Sequence, residues 1–130
     1  PKLGNIKSVY FGMVFYILGL ILISLAQESW MIFAFAIPLS LGGISGPALQ
    51  GIMTNNIPDD EQGEFQGGMT SLISLTAIIG PLLMTNLFSY FTSESTYFYF
   101  PGAPFMLGAV LSIFGLVIAI KFLSGSKIKY

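Results

Sequence analysis

The side chains of this sequence that could carry chemistry are few. There is no His and no Cys in 130 residues, which removes imidazole bases, thiol nucleophiles, disulfides and the commonest metal ligands. Asp59, Asp60, Glu61 and Glu64 share one short segment with Gln62 and Gln66, while Glu28 and Glu94 stand apart. None of these acids lies well inside an apolar stretch, so the usual signature of a membrane-embedded proton relay is absent. No Ser-His-Asp, Cys-His or carboxylate-pair constellation is available, and the chain reads as no enzyme. No cofactor or metal is implied. What remains is hydrogen-bonding and packing chemistry. Ser40, Gly43, Pro47, Gln50 and Thr54 recur at steps of 3, 4, 3 and 4, which places them on one helix face. Such a face borders a solvated pathway or lets a neighbouring helix approach closely. Gln50, long and polar beside two hydroxyls and a proline, favours the pathway.

Two further faces have the same character. Gly67, Thr70, Ser74, Ala77, Pro81 and Thr85 form one, and Gly108, Ser112, Gly115 and Ala119 another. Gly42 and Gly46 add a small-xxx-small pair beside the first strip. Pro38, Pro47 and Pro81 fall inside these segments, where each removes a backbone donor and kinks its helix.

The elements that must hold these residues follow from composition. Only 8% of residues are charged, 54% are hydrophobic and the mean hydropathy is +0.80. A soluble domain carries about 25% charge, so the chain is an integral membrane protein. A net charge of −1 offers no general basis for binding nucleic acid. The charges divide the chain into four uncharged intervals. Residues 8–27, 29–58, 65–93 and 95–120 provide 20, 30, 29 and 26 residues, and a helix needs roughly 20 to cross a bilayer. Four spans are expected, at about 9–26, 30–54, 66–90 and 103–123. The first holds 11 Val, Ile, Leu or Phe residues, about −3 to −7 kcal/mol of insertion energy before polar costs.

Orientation follows from the lysines. Lys2 and Lys7 precede the first span, and Lys121, Lys127 and Lys129 end or follow the fourth, so all five basic residues fall on one side. The positive-inside rule places both termini, and with them the Asn55 to Glu64 loop, in the cytoplasm. Trp30 and the run Tyr97-Phe98-Tyr99-Phe100 then mark the outer boundary as an interfacial aromatic belt.

One stretch of the sequence is specific. Gly42-Gly43-Ile44-Ser45-Gly46-Pro47-Ala48-Leu49-Gln50, then Glu61-Gln62-Gly63-Glu64-Phe65-Gln66-Gly67, then Ser74-Leu75-Thr76-Ala77-Ile78-Ile79-Gly80-Pro81-Leu82-Leu83 resemble the tenth and eleventh spans of bacterial drug exporters. The family is the major facilitator superfamily, in its tetracycline-resistance-like branch. The match is close from about Leu41 to Thr85. The resemblance implies an all-α, twelve-span protein of the bacterial inner membrane, of which this chain is a C-terminal fragment supplying spans nine to twelve. The missing N-terminal part and the lipid bilayer would be its partners. Members of the family export hydrophobic drugs in exchange for protons by alternating access. The resemblance puts the tenth span along the central cavity, the eleventh beside it, and the ninth and twelfth outside as supports. Ser40, Gly43, Pro47, Gln50 and Thr54 would border the small-molecule substrate. Gly46, Gly67, Ser74, Gly80 and Pro81 would serve packing and bending. Asp59, Asp60, Glu61, Gln62, Glu64 and Gln66 would form the cytoplasmic loop.

Some tetracycline exporters of the family carry an acid in the ninth span, and the first span here has none, so the resemblance does not fix tetracycline as the substrate. The residues alone also allow a complete small tetraspan scaffold or a channel subunit.

Overall fold

A computed structural model describes residues 4–125. Lys2, Lys127 and Lys129, which carry part of the orientation argument, lie outside the described residues. The chain folds into α1 (Asn5–Ser24), α2 (Ser29–Gly42), α3 (Ser45–Asn55), α4 (Gln62–Thr92) and α5 (Ala103–Gly125). The architecture is all-helical, as expected. Four stretches are long and apolar enough to cross a membrane: Ile6–Ser24, Ser29–Asn55, Gln62–Thr92 and Ala103–Gly125. α1 and α4 begin four residues before the first and third expected spans, at Asn5 and Gln62. The expectation followed the apolar run, but a helix continues through Lys7 or Glu64 at no cost to its backbone bonds.

The second expected span is two helices in one stretch. α2 ends at Gly42 and α3 starts at Ser45, with a turn at Gly43-Ile44. Pro47 explains the position of the turn. It has no N–H for the carbonyl four residues back, which is that of Gly43, and its ring crowds that carbonyl. The chain tightens there into three-residue bonds. The Gly43 N–H donates to the Ser40 carbonyl at 3.1 Å and the Ile44 N–H to the Leu41 carbonyl at 3.5 Å. The Ser45 hydroxyl donates to the Gly42 carbonyl at 2.8 Å. Pro38 and Pro81, by contrast, lie within continuous helices.

α1 is the hub of the bundle. It packs against α2, α3 and α5, and α4 touches mainly α5. Within this chain the first span is the helix that α2, α3 and α5 share, and two of its glycines let α2 and α3 come close. A Cβ on Gly12 would lie 2.7 Å from the Ser45 nitrogen, and one on Gly19 2.7 Å from the Leu39 nitrogen. On the facing strand of the crossing, a Cβ on Gly42 would lie 2.5 Å from the Tyr16 Cβ. The pairs 12–45, 16–42 and 19–39 run antiparallel, so the turn at Gly43-Ile44 lets both α2 and α3 follow α1. Val9, Ile52 and Leu123 close one end of this contact, joined by Ile6, Tyr10 and Ala119. At the other end the Gly102 backbone abuts the Ser24 carbonyl of α1. α4 has no buried residue along its 31.

Candidate functional site

The residues expected along the second span fall on both sides of the turn, Ser40 in α2, Gly43 in the turn, and Pro47, Gln50 and Thr54 in α3. Ser40, Gly43, Pro47 and Gln50 are exposed and Thr54 is half-buried. The opposite side of the same stretch, with Gly42 and Ile52 buried, is the side that faces α1. The strip is therefore part of the surface that this chain leaves open, beside the exposed Ile37, Leu41 and Ile44, and Ser40 and Gln50 supply its polar side chains. The Ser40 hydroxyl donates to the Ala36 carbonyl at 2.8 Å, which spends its proton and leaves its lone pairs outward. Gln50 Nε2 donates to Gln66 Oε1 at 3.4 Å, linking α3 to α4.

α4 carries further hydroxyls, spread round its circumference. The hydroxyls of Ser71, Ser74 and Thr76 donate to carbonyls one turn back, at 2.9 Å to Gly67, 2.8 Å to Thr70 and 2.9 Å to Ile73. Ser74 thus stays on an exposed face without a side-chain partner of its own. Between α3 and the start of α4 lies an open cleft of about 520 Å³. Met53, Ile57, Phe65 and Met69 form its apolar lining, and Glu61 and Glu64 add carboxylates.

The acidic loop is arranged differently from simple capping. Glu61 occupies the cap position of α4, and its side chain makes no capping bond. Asp59 Oδ1 accepts from Gln62 Nε2 at 3.1 Å. Glu64 stands in the first helical turn, where a negative charge suits the positive end of the helix. Asp60, Glu61 and Glu64 are all exposed.

The packing residues split. Space beside Gly46, Gly67 and Gly80 is open among the described residues. The close approaches belong to Gly12, Gly19 and Gly42. The first two went unread in the sequence, although their spacing of seven places them on one face of α1. Among the described residues no group of His, Cys, Asp or Glu could hold a metal.

The chain is thus an apolar bundle of four membrane-length stretches whose α4 has no buried residue, and comparison with known proteins places it in a family. The sequence pattern of the Major Facilitator Superfamily matches residues 2–128. The chain belongs to the major facilitator superfamily. Among its relatives, a class C tetracycline resistance protein from Escherichia coli is 38% identical over 110 residues, 85% of this chain and 26% of the relative. A class G protein from Vibrio anguillarum is 40% identical, covering 68% of this chain and 22% of the relative. A class H protein from Pasteurella multocida is 33% identical, covering 91% and 28%. The chain spans about a quarter of the length of these relatives. No solved structure matches it. Membership makes the chain an integral membrane protein of a transporter superfamily, with the lipid bilayer as its surroundings.

Proposed function

We propose that this chain is the C-terminal part, spans nine to twelve, of a proton-coupled secondary transporter that exports hydrophobic drugs or related small molecules by alternating access. It belongs in this reading to a bacterial inner membrane, with the termini of the fragment and the Asn55 to Glu64 loop in the cytoplasm. The observation that carries the reading is the open strip Ser40-Gly43-Pro47-Gln50, which turns polar groups away from α1 at membrane depth. A polar face inside a bilayer must meet protein or a water-filled cavity. α4, with no buried residue, is left free to meet lipid or the rest of the transporter in this reading. The missing N-terminal part would supply protein beside the strip, and the proton-relay acid that this chain lacks.

The test is efflux by the full-length protein in everted membrane vesicles, with tetracycline and lipophilic dyes as probes. Uptake driven by an imposed pH gradient and abolished by a protonophore is the expected result. Transport that persists after the gradient is collapsed would remove proton coupling, and no transport of any probe would remove the exporter reading.

A further inference from the structure

The Gly43 carbonyl is left without a donor by the sequence around it. In a regular helix it would accept from the N–H of residue 47, and Pro47 has none. Among the described residues no backbone N–H reaches it, and the nearby Ser45 hydroxyl is engaged with Gly42 at 2.8 Å. Gly43 sits near the middle of the 27-residue apolar stretch Ser29–Asn55, roughly 20 Å from each end at about 1.5 Å per residue. A bare carbonyl at that depth cannot face lipid, which offers no donor. Nor does this chain cover it. Gly43 is exposed, and a Cβ on Gly46 would meet open space. One turn earlier, the Ser40 hydroxyl has also spent its proton, on Ala36 at 2.8 Å. Both groups thus offer acceptor lone pairs only. The C-terminal end of α2 adds its negative dipole at the same place.

We propose that the Gly43 carbonyl, with the Ser40 hydroxyl beside it on the strip, is an acceptor subsite of the transport pathway, hydrated when empty and taking an N–H or O–H donor of the transported molecule. The preferred ligand has an apolar body carrying an amine, a carboxamide or a hydroxyl. The proposal rests on the transport reading above and adds to it a named acceptor and a selectivity.

The test uses the full-length exporter. Pro47→Ala supplies the missing N–H to the Gly43 carbonyl, and alanine suits a helix better than proline. The probes are tetracycline and ethidium, which carry N–H or O–H donors, and tetraphenylphosphonium, which carries none. The expected result is a KM raised about 3–10-fold for the donors, with kcat little changed and tetraphenylphosphonium unaffected. An equal change for all three probes, or none, overturns the subsite and leaves the exporter reading standing. Failure of the unmodified protein to export any probe rejects that reading instead. A substrate-free arm decides where the probes do not. A cysteine in place of Gly46 should react with a charged, water-soluble thiol reagent, whereas one in place of Phe114, exposed half-way along the apolar α5, should not. An unreactive Gly46→Cys overturns the hydrated subsite.

Discussion

Gln50 and Gln66 join α3 to α4 through one amide–amide hydrogen bond, from Nε2 to Oε1 at 3.4 Å. The two helices share little other contact, so this bond is the side-chain tie between them beside the short connection 56–61. A neutral bond at an exposed site is worth about 0.5–1 kcal/mol. Leu at either position, and then at both, gives a double-mutant cycle on the thermal stability of the full-length protein. A coupling of about that size is expected, and additive single effects would show that the two amides do not depend on each other.

Gly42→Ala should destabilise the protein by about 1–3 kcal/mol, as an overpacked contact does. The new methyl would lie 2.5–2.6 Å from Tyr16 main-chain and Cβ atoms, and a helix backbone cannot step aside as a side chain can. Gly46→Ala, with nothing within 4 Å, should be neutral or slightly stabilising through helix propensity. The comparison is the unfolding temperature of the two variants in detergent. Equal values would mean that α1 and α2 do not cross at Gly42.

The contrast between these glycines shows what the sequence could tell. The number of spans was legible because lipid leaves one solution for twenty apolar residues in a row. Steps of 3 and 4 fix a face only along one continuous helix, and the strip from Ser40 to Gln50 crosses the turn between α2 and α3, which the spacing did not show. Which glycines meet a neighbour was not legible, since that depends on which helix crosses which. Gly42 and Gly46 look alike at four-residue spacing, yet one abuts Tyr16 and the other faces open space. Pro47 and Pro81 also look alike, each after a glycine, and only the first follows a break in its helix. The turn at Gly43-Ile44 needs Pro47 together with an α1 that both halves must follow. Gly12 and Gly19 of α1 went unread because nothing polar accompanies them.

Tyr10→Phe should leave stability unchanged or raise it by up to about 1 kcal/mol. The Tyr10 hydroxyl is buried without a hydrogen-bond partner among the described residues, beside Val9, Ile52 and Leu123. Removing an unsatisfied buried group recovers its desolvation penalty and keeps the ring packing. A clear loss of stability in thermal unfolding of the full-length protein would mean that the hydroxyl finds a partner there.

Cysteine labelling in intact cells tests the proposed orientation, and the absence of native Cys in this chain keeps its background clean. Glu28 and Glu94 flank the short connections on one side of the bundle, and Asn56 ends α3 on the other. Glu28→Cys and Glu94→Cys should react with an impermeant reagent added outside, and Asn56→Cys only after the membrane is opened. The reverse pattern would invert the topology.

The acids before α4 distinguish a local from a mechanistic role. If they serve only the helix end, their worth is small. Glu64 in the first turn gains about 0.3–1 kcal/mol from the helix dipole, and Glu61 caps nothing with its side chain. Asp59→Asn should be harmless on either account, because Asn retains an oxygen to accept from Gln62, now at 3.1 Å. Glu61 and Glu64 are different. They add carboxylates to an otherwise apolar cleft, where a basic segment from the rest of the transporter could pair with them in one access state. A contact made in one state shifts the balance between the two. Glu61→Gln and Glu64→Gln should therefore leave the amount of folded full-length protein nearly unchanged and alter efflux by about threefold or more, as the loss of one charged pair would do. The measurement is efflux per folded molecule for each single substitution. Unchanged efflux in both would leave the acids with the helix end alone.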